Sequence, residues 1–290
     1  LPEISICIPT YNCGEYLPAA IESVMRQGLD DFEIVISDNA SEDNTELIVE
    51  GMRNARIRYF RNACNLGSRA NIKRCLELAQ GRYIKILCAD DVLIEGLVEK
   101  QVQLLREQPG VALVTCNMLV TDSDLQVQQT KYMYPGAASG VRVTMACLGS
   151  WSNYIGGPTN FMFRSEDAAG LTFDESYRWL SDMKFGLQLL ERGSYVNVDV
   201  SGYLYRRHAA TDTALNCPPG IRIPEFLRLL DELNGWTLIS CGQAVRYGGR
   251  AGMRAVAGKW WRACSITKVW QAIVALRDGL HMRRMGRVSA

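Results

Sequence analysis

The 290-residue sequence predicts an α/β protein built on a mostly parallel, doubly wound central sheet. Two features carry this expectation. Short apolar runs alternate four times with helix-period segments over the first ~90 residues, as strands joined by crossover helices do. Polar, loop-forming clusters follow the first, second and fourth of those runs, at the strand ends where open α/β sheets bind ligands.

Residues 4–8 (ISICI) run into Pro9 without a polar break, which suits a strand buried on both faces. Residues 15–27 place Leu17, Ile21, Val24 and Met25 on one helical side. Residues 32–37 (FEIVIS) form a second strand, followed by the turn-forming run 38–45 and a helix over 45–54. Residues 57–60 are a third strand, 68–80 a helix closed by Gly81 as a C′ glycine, and 83–88 (YIKILC) a fourth strand. A helix over 93–107, a strand over 111–120, an irregular stretch over 131–160, a strand over 159–163, a helix over 179–192 and a strand or hairpin arm over 195–205 complete the body. From Pro224 the pattern turns helical. Cys-Pro-Pro-Gly near 216–220 marks the one boundary, dividing a catalytic domain over 1–217 from a helical extension over 218–290. Within the first unit, 1–120 read as one half and 121–217 as the other.

Composition supports a globular protein, with 48% hydrophobic and 22% charged residues and a net charge of +1. The charge is unevenly placed. Residues 245–290 hold ten Lys or Arg against one acid, Asp278, a net of +9; the remainder holds 22 bases and 30 acids, a net of −8. The ten cysteines contain no C-x-x-C pair and several lie inside apolar runs. They read as reduced, mostly buried thiols of a cytoplasmic protein. No apolar run reaches the ~18 residues of a membrane span, and no signal-peptide pattern precedes the first strand. A dinucleotide-binding enzyme is disfavoured because no G-x-G-x-x-G follows any strand.

Three clusters stand where chemistry is expected. Pro9-Thr10-Tyr11-Asn12 follows the first strand and can offer backbone groups and a ring to a flat base, or simply make a turn closed by Asn12. Asp38 ends the second strand and can accept hydrogen bonds from a base or ribose; Ser41 and Asp43 beyond it suit helix capping. Cys88-Ala89-Asp90-Asp91 follows the fourth strand. Adjacent carboxylates repel unless a cation or donors answer them, and a divalent ion with phosphate oxygens does so. One of the two would equally serve as an N-cap for the helix expected next.

With these clusters in this order, the chain resembles glycosyltransferase family 2, the inverting enzymes of the GT-A fold. The resemblance rests on the opening ICIPTYN, on IVISDNASEDNT, on Asn65-Leu66-Gly67 ahead of a helix, and on GRYIKILCADD. It covers roughly residues 3–215 and is most specific over 3–95. It implies that Pro9, Thr10, Tyr11 and Glu15 line the base and ribose pocket, that Asp38 holds the base and that Arg69 lies near the donor. Asp90 would face the ribose or sugar, and Asp91 would bind an Mg²⁺ or Mn²⁺ ion bridging the diphosphate. Cys88 stands where the family often carries another acid; a thiol is a poor ligand for these hard ions. Asp182, on a helix after Phe173-Asp174-Glu175, matches the family's catalytic base, with Ser181 replacing the usual preceding acid. His208, in Tyr-Arg-Arg-His, fits an element that touches the diphosphate or metal, with Arg206 or Arg207 able to neutralise leaving-group charge.

The resemblance therefore implies an inverting, metal-dependent transfer of a sugar from a nucleoside-diphosphate donor, uracil-linked on family grounds, to a saccharide or lipid-linked saccharide in surface polysaccharide biosynthesis. Gly156-Gly157-Pro158-Thr159, with Trp151 and Tyr154, would line the acceptor side, although core packing accounts for Trp151 equally well. The basic, Trp-bearing stretch 251–280 suits either contact with an anionic membrane at the inner face of the cell membrane or packing on the catalytic domain. No nucleic-acid partner is expected. Two rivals stand beside this reading: a nucleotidyltransferase, which would need a Gly-rich basic loop after the first strand, and a non-catalytic nucleotide-sugar-binding scaffold, which would not need Asp91 and Asp182 together.

Overall fold

A computed structural model describes residues 1–209, 211, 214 and 220–233. Its elements in order are β1 (Ile4–Thr10), α1 (Leu17–Met25), β2 (Phe32–Asp38), α2 (Thr45–Met52), β3 (Ile57–Arg61), α3 (Ser68–Leu78), β4 (Tyr83–Ile86), β5 (Val92–Leu93), α4 (Leu97–Glu107), β6 (Val111–Thr121), β7 (Val127–Lys131), β8 (Ala137–Ala138), α5 (Gly140–Ser150), β9 (Met162–Arg164), α6 (Ser181–Leu190), β10 (Ser194–Arg206) and α7 (Arg222–Glu232).

One mixed sheet runs through the molecule in the order β3-β2-β1-β4-β9-β6-β10-β5, with β7 added to β6 and β8 to β10. The strands β3, β2, β1 and β4 are mutually parallel. β9 enters antiparallel to both β4 and β6, and β10 then pairs parallel with β6. All the long strands thus share one direction, as the crossover pattern requires. The register aligns Thr10 with Asp38 and Asp38 with Arg61, so three polar strand ends lie side by side at one sheet edge.

Apolar residues face both ways along β1 and β2, which explains why these strands lack a polar alternation. Ile6, Ile8, Ile34 and Ile36 pack with α1 and α4 residues such as Leu17, Val24, Val98 and Val102. Cys7 and Val35 point to the other layer, with Cys75 of α3, Phe185 of α6, Leu148 of α5 and Phe226 of α7. Each fully buried Ile or Leu contributes roughly 1.5–3 kcal/mol. Of the seven described cysteines all are free, and Cys7, Cys75, Cys116 and Cys147 are buried.

Four expectations from the sequence need correction. Val92–Leu93 is not the start of a helix but a strand hydrogen-bonded to Leu204 and Tyr203 of β10; the helix begins at Leu97, after Gly96 at φ 75°. Residues 140–150, inside the stretch expected to be irregular, form α5, opened by the Ser139 hydroxyl accepting from the Arg142 amide. The strand expected over 159–163 is a 3₁₀ turn at Pro158–Asn160 followed by β9. Gly81 is not a left-handed cap, since α3 ends at Ala79 in an extended conformation. A Cβ on Gly81 would stand 2.5 Å from the Ser5 nitrogen, so glycine is required by close backbone approach to β1.

Helix α7 agrees with the helical character expected from Pro224 onward. The boundary expected near 216–220 and the basic stretch 251–280 lie outside the described residues, apart from Gly220. No described helix is long and apolar enough to cross a membrane.

Candidate functional site

The loops after β1, β2 and β3 are laced together before any ligand is considered. Asn12, at φ 50°, donates its amide to the Ser41 hydroxyl at 2.9 Å and accepts from the Glu42 amide at 2.8 Å. Asp43 accepts from the Gly14 amide at 2.8 Å and from the Thr45 amide at 3.0 Å; burial works against its charge, but these donors hold it below the usual carboxylate range. Asn71, buried on α3, donates to Ser37 O at 2.9 Å and to Thr10 O at 3.3 Å. Asn39 ties in the third loop, donating to Asn65 at 2.7 Å and accepting from the Leu66 amide at 2.8 Å. Buried amides of this kind must be paired to be tolerated, and pairing them fixes the shape of the cleft.

Asp38 sits in the middle of this edge with 0% exposure. One carboxylate oxygen accepts from the Ser41 amide and hydroxyl; the other accepts from the Tyr59 hydroxyl and from Arg61 at 2.9 Å. Both oxygens are thus engaged by protein donors, and a base reaching Asp38 would have to share or exchange one of them. Tyr11 is 42% exposed at the mouth of the cleft. Glu15 is exposed ahead of α1, and Pro9 is half-buried at the end of β1.

The carboxylate pair lies on the turn after β4. Asp91 is only 2% exposed. It accepts from the Thr159 hydroxyl at 2.6 Å and from the Arg206 amide at 3.1 Å. The Cys88 amide in turn donates to Thr159 at 3.0 Å, so the residue closing the turn after Gly156-Gly157 holds the loop in place. Burial first, and the adjacent Asp90 charge second, push the Asp91 carboxyl well above its ordinary value. Asp90 is more open, with a side chain 20% exposed, and its Oδ2 lies 3.2 Å from His208 Nε2. His208 therefore meets Asp90 rather than Asp91.

Arg206 is 6% exposed and does not face the cleft as a free cation. Its guanidinium donates to Asp90 O at 2.9 Å and to Ser123 O, and lies 4.7 Å over the Tyr16 ring. His208 covers that ring at 4.7 Å between centroids. Arg206 thus clamps the carboxylate loop, while Arg207 is exposed.

Among the described residues, Cys88, Asp90 and Asp91 form the one group of three with ligand atoms mutually within 4.8 Å. Two crowded carboxylates, one of them buried without a cationic side chain of its own, suit a hard divalent ion completed by phosphate oxygens. The Cys88 thiol is pushed well up by burial and by both Asp charges, and as a protonated soft donor it does not suit Mg²⁺ or Mn²⁺.

Across the cleft Asp182 sits in the first turn of α6, half-buried. Its Oδ1 accepts from the Met183 amide at 2.7 Å, and its Oδ2 lies 3.4 Å from where a Cβ on Gly157 would stand. Burial raises its carboxyl to about 6, against the pull of the Met183 amide, Lys131 and Arg69. Arg69 reaches the same segment, donating to Arg178 O. Gly157 thus borders Asp182, and Thr159, two residues on, bonds Asp91, so one short turn brings Asp182 near the carboxylate pair. Gly156, at φ 83°, is buried against Asn160.

Trp151 and Tyr154 do not line this cleft. Trp151 stacks on Phe226 at 5.1 Å and Tyr154 is 2% exposed, both within the core. Sequence reasoning missed Thr159 as the partner of Asp91, Tyr16 between Arg206 and His208, and Lys131 beside Asp182. Each is brought in by strand pairing or loop closure across many residues, and no local spacing announces it.

The family model "Glycosyl transferase family 2" matches residues 5–170, more than half of the chain and including the loops after β1, β2, β3 and β4. The chain belongs to glycosyl transferase family 2. An uncharacterized protein of Mycobacterium tuberculosis, MT1568, is 32% identical over 224 residues, covering 73% of this chain and 69% of its own. The GalNAc(5)-diNAcBac-PP-undecaprenol beta-1,3-glucosyltransferase of Campylobacter jejuni is 33% identical over 123 residues, 41% of this chain and 39% of that one. The abequosyltransferase RfbV of Salmonella typhimurium is 39% identical over 127 residues, 42% and 38% of the two chains. The matches to these last two thus span about two fifths of each relative's length. The structure of S. aureus TarS 1–349 in complex with UDP-GlcNAc superposes with TM-score 0.64 at 16% identity, over 96% of this chain and 81% of that one. A Pyrobaculum calidifontis mannosyltransferase in complex with GDP-Man and Mn²⁺ gives 0.57 at 13% identity, over 96% and 87%. At such identities the likeness speaks for the fold, which is GT-A, and family 2 membership makes the chain a glycosyltransferase.

Proposed function

We propose that this family 2 protein is an inverting, metal-dependent glycosyltransferase that moves a sugar from a UDP-linked donor to a saccharide or lipid-linked saccharide. The observation that carries the reading is Asp182: a carboxylate raised to about 6, at the start of a helix, in the same cleft as the Asp90-Asp91 pair. A base is most useful when its pKa lies just below working pH, because it is then ionised yet still basic.

The donor would lie along the edge formed by Thr10, Tyr11, Asp38 and Arg69, with Tyr11 free to cover a base and Asp38 reached through Ser41 or Tyr59. Asp91, with Asp90 and His208 beside it, would hold Mg²⁺ or Mn²⁺, which when bound supplies charge neutralisation for the departing nucleoside diphosphate. Asp90 would meet the ribose or sugar. Asp182 takes the proton of the acceptor hydroxyl as that oxygen attacks the anomeric carbon from the face opposite the leaving group. The carbon–oxygen bond to the diphosphate breaks in the same displacement, and the anomeric configuration inverts. Gly157 leaves the acceptor room beside Asp182.

A lipid-linked acceptor is supported by the Campylobacter relative, whose name includes a PP-undecaprenol carrier. The basic stretch 245–290 accords with work at the inner face of the cell membrane in surface polysaccharide assembly. A scaffold would have no use for a tuned base facing a metal-type carboxylate pair, and a nucleotidyltransferase would need a basic glycine-rich loop where Pro9-Thr10-Tyr11-Asn12 stands. The test is a thermal-shift screen of UDP-, GDP- and dTDP-sugars with Mn²⁺, followed by nucleotide release. Stabilisation by a UDP-sugar and Mn²⁺-dependent UDP release are expected. Unchanged turnover in Asp91→Asn would defeat the proposal.

A further inference from the structure

Helix α6 carries Asp182, yet it has no capping side chain of its own. Its N-cap residue is Leu180, which can accept nothing through its side chain. The backbone donors leading into the helix are instead answered from another element. Glu225 of α7, only 7% exposed, accepts from the Arg178, Trp179 and Leu180 amides, the last two at 2.8 Å and 2.9 Å. One buried carboxylate thus holds three consecutive N–H groups immediately ahead of the base. Charge-assisted bonds to an anion are the stronger kind, and an anion at a helix N-terminus also meets the favourable end of its dipole.

The same helix is tied to α6 a second time. Lys184, one turn beyond Leu180, bridges Asp174 at 2.7 Å and Glu232 of α7 at 2.6 Å. Below these polar ties Phe226 packs flat on Trp151, with ring planes 8° apart. Helix α7 lies beyond residue 170, where the family match ends. It is not a loosely appended tail: it closes the back of the segment that presents the base, and Arg69 bonds the front of that segment at Arg178 O.

We infer that Glu225 is a positioning residue for the reaction, fixing through three backbone amides the turn that aims Asp182 at the acceptor. This rests on the assignment of Asp182 as base. A carboxylate is required because both oxygens accept; a glutamine would set its NH₂ against an N–H donor. Displacing a reacting group by about 1 Å costs up to about a hundredfold in rate.

The experiment uses the full chain as Glu225→Gln, with Asp182→Asn measured beside it. The readouts are UDP binding, Mn²⁺-dependent UDP release from UDP-GlcNAc, and hydrogen exchange at the Arg178–Leu180 amides. The expected result is kcat lower by about 10–100-fold, KM and UDP affinity within about twofold of wild type, and faster exchange confined to 178–184. Unchanged kcat in Glu225→Gln while Asp182→Asn is inactive overturns this inference alone. Wild-type turnover in Asp182→Asn overturns the assignment of the base and the inference with it. UDP affinity falling in step with kcat also overturns the inference, because the role is then general folding. If Glu225→Gln does not fold, Glu225→Asp, which keeps the charge but shortens its reach to the amides, decides the matter: a kcat loss at constant KM supports the inference, and unchanged kcat overturns it.

Discussion

Asp182→Asn separates function from stability in one substitution. The wild-type carboxyl is raised from 3.8 to about 6, chiefly by burial. Between those two values the native chain keeps a proton that the unfolded chain has already released. Stability is therefore fully present below about pH 4, falls as pH rises through this window, and stays reduced above about 6. The shift corresponds to about 3 kcal/mol if the group were wholly shielded; because Asp182 is half-buried, screening brings the expected loss to about 1–3 kcal/mol. Asparagine cannot ionise and escapes that loss. Urea unfolding at pH 4, 5, 6 and 7.5 should show the variant level with wild type at pH 4 and more stable by that amount above pH 6. Turnover should fall by about 10²–10⁴-fold, the usual worth of a general base. In the wild type, kcat/KM should rise with pH to a plateau, with its midpoint near 6. Parallel stability curves for the two proteins, or a rate flat from pH 5 to 7, would show that Asp182 is not the group titrating near 6.

Three further outcomes follow from other parts of the molecule. Asp91→Asn keeps the shape of the side chain against Thr159 and the Arg206 amide; it should retain its fold by circular dichroism while Mn²⁺-stimulated UDP release drops by about 10²–10³-fold. Gly81→Ala would place a Cβ 2.5 Å from the Ser5 nitrogen and 2.7 Å from the Ile4 carbonyl carbon, both backbone atoms; it should lose about 1–3 kcal/mol by urea unfolding. Lys85 is wholly buried with its ammonium 3.0 Å from Gln101 Oε1, and burial brings its pKa down from 10.5 to about 8. Here the unfolded chain binds the extra proton, so stability should rise between about pH 8 and 10.5, by up to about 3 kcal/mol, and Lys85→Met should abolish that rise.

What could be read from the sequence was local in the chain. The loops after β1, β2 and β4 each bring their polar residues within a few positions of a strand end, so order and spacing were enough to place them at one edge. The register then did what spacing cannot express, aligning Thr10, Asp38 and Arg61 across three strands. Helix α5 was hidden because GVRVTMACLGS mixes glycine with β-branched residues and has weak helical preference. Tertiary packing decides it: a Cβ on Gly140 would stand 1.9 Å from Leu190 O, so this glycine lets α5 start against the end of α6. Val92–Leu93 looked like the first turn of a helix because apolar residues led into one; pairing with β10, more than a hundred residues away, made it a strand. Thr159 meets Asp91 across 68 positions, and Arg206 meets Asp90 across 116. Such contacts arise only once the sheet has brought distant strands together.

Of the acids near α6, Asp182 suits the proposed role of base better than Asp174. The segment 173–182 carries Asp174, Glu175 and Asp182, and sequence favours Asp182 only through the family pattern. Burial would raise Asp174, but the Lys184 ammonium at 2.7 Å and the Ser176 amide and hydroxyl bring it down to about 2. A carboxylate so well answered is a weak proton acceptor and is committed to the α6–α7 bridge. Asp182 accepts from the amide of its neighbour Met183, and this bond, Lys131 and Arg69 only partly offset its burial. Two carboxylates eight residues apart are thereby driven to opposite ends of the acid range, one fixed as an ion and the other left basic near neutral pH. Such a divergence is what the proposed division into a structural Asp174 and a reacting Asp182 needs. It also explains why Lys184 belongs to Asp174: a lysine paired with Asp182 instead would have drained the basicity that proton removal from the acceptor requires.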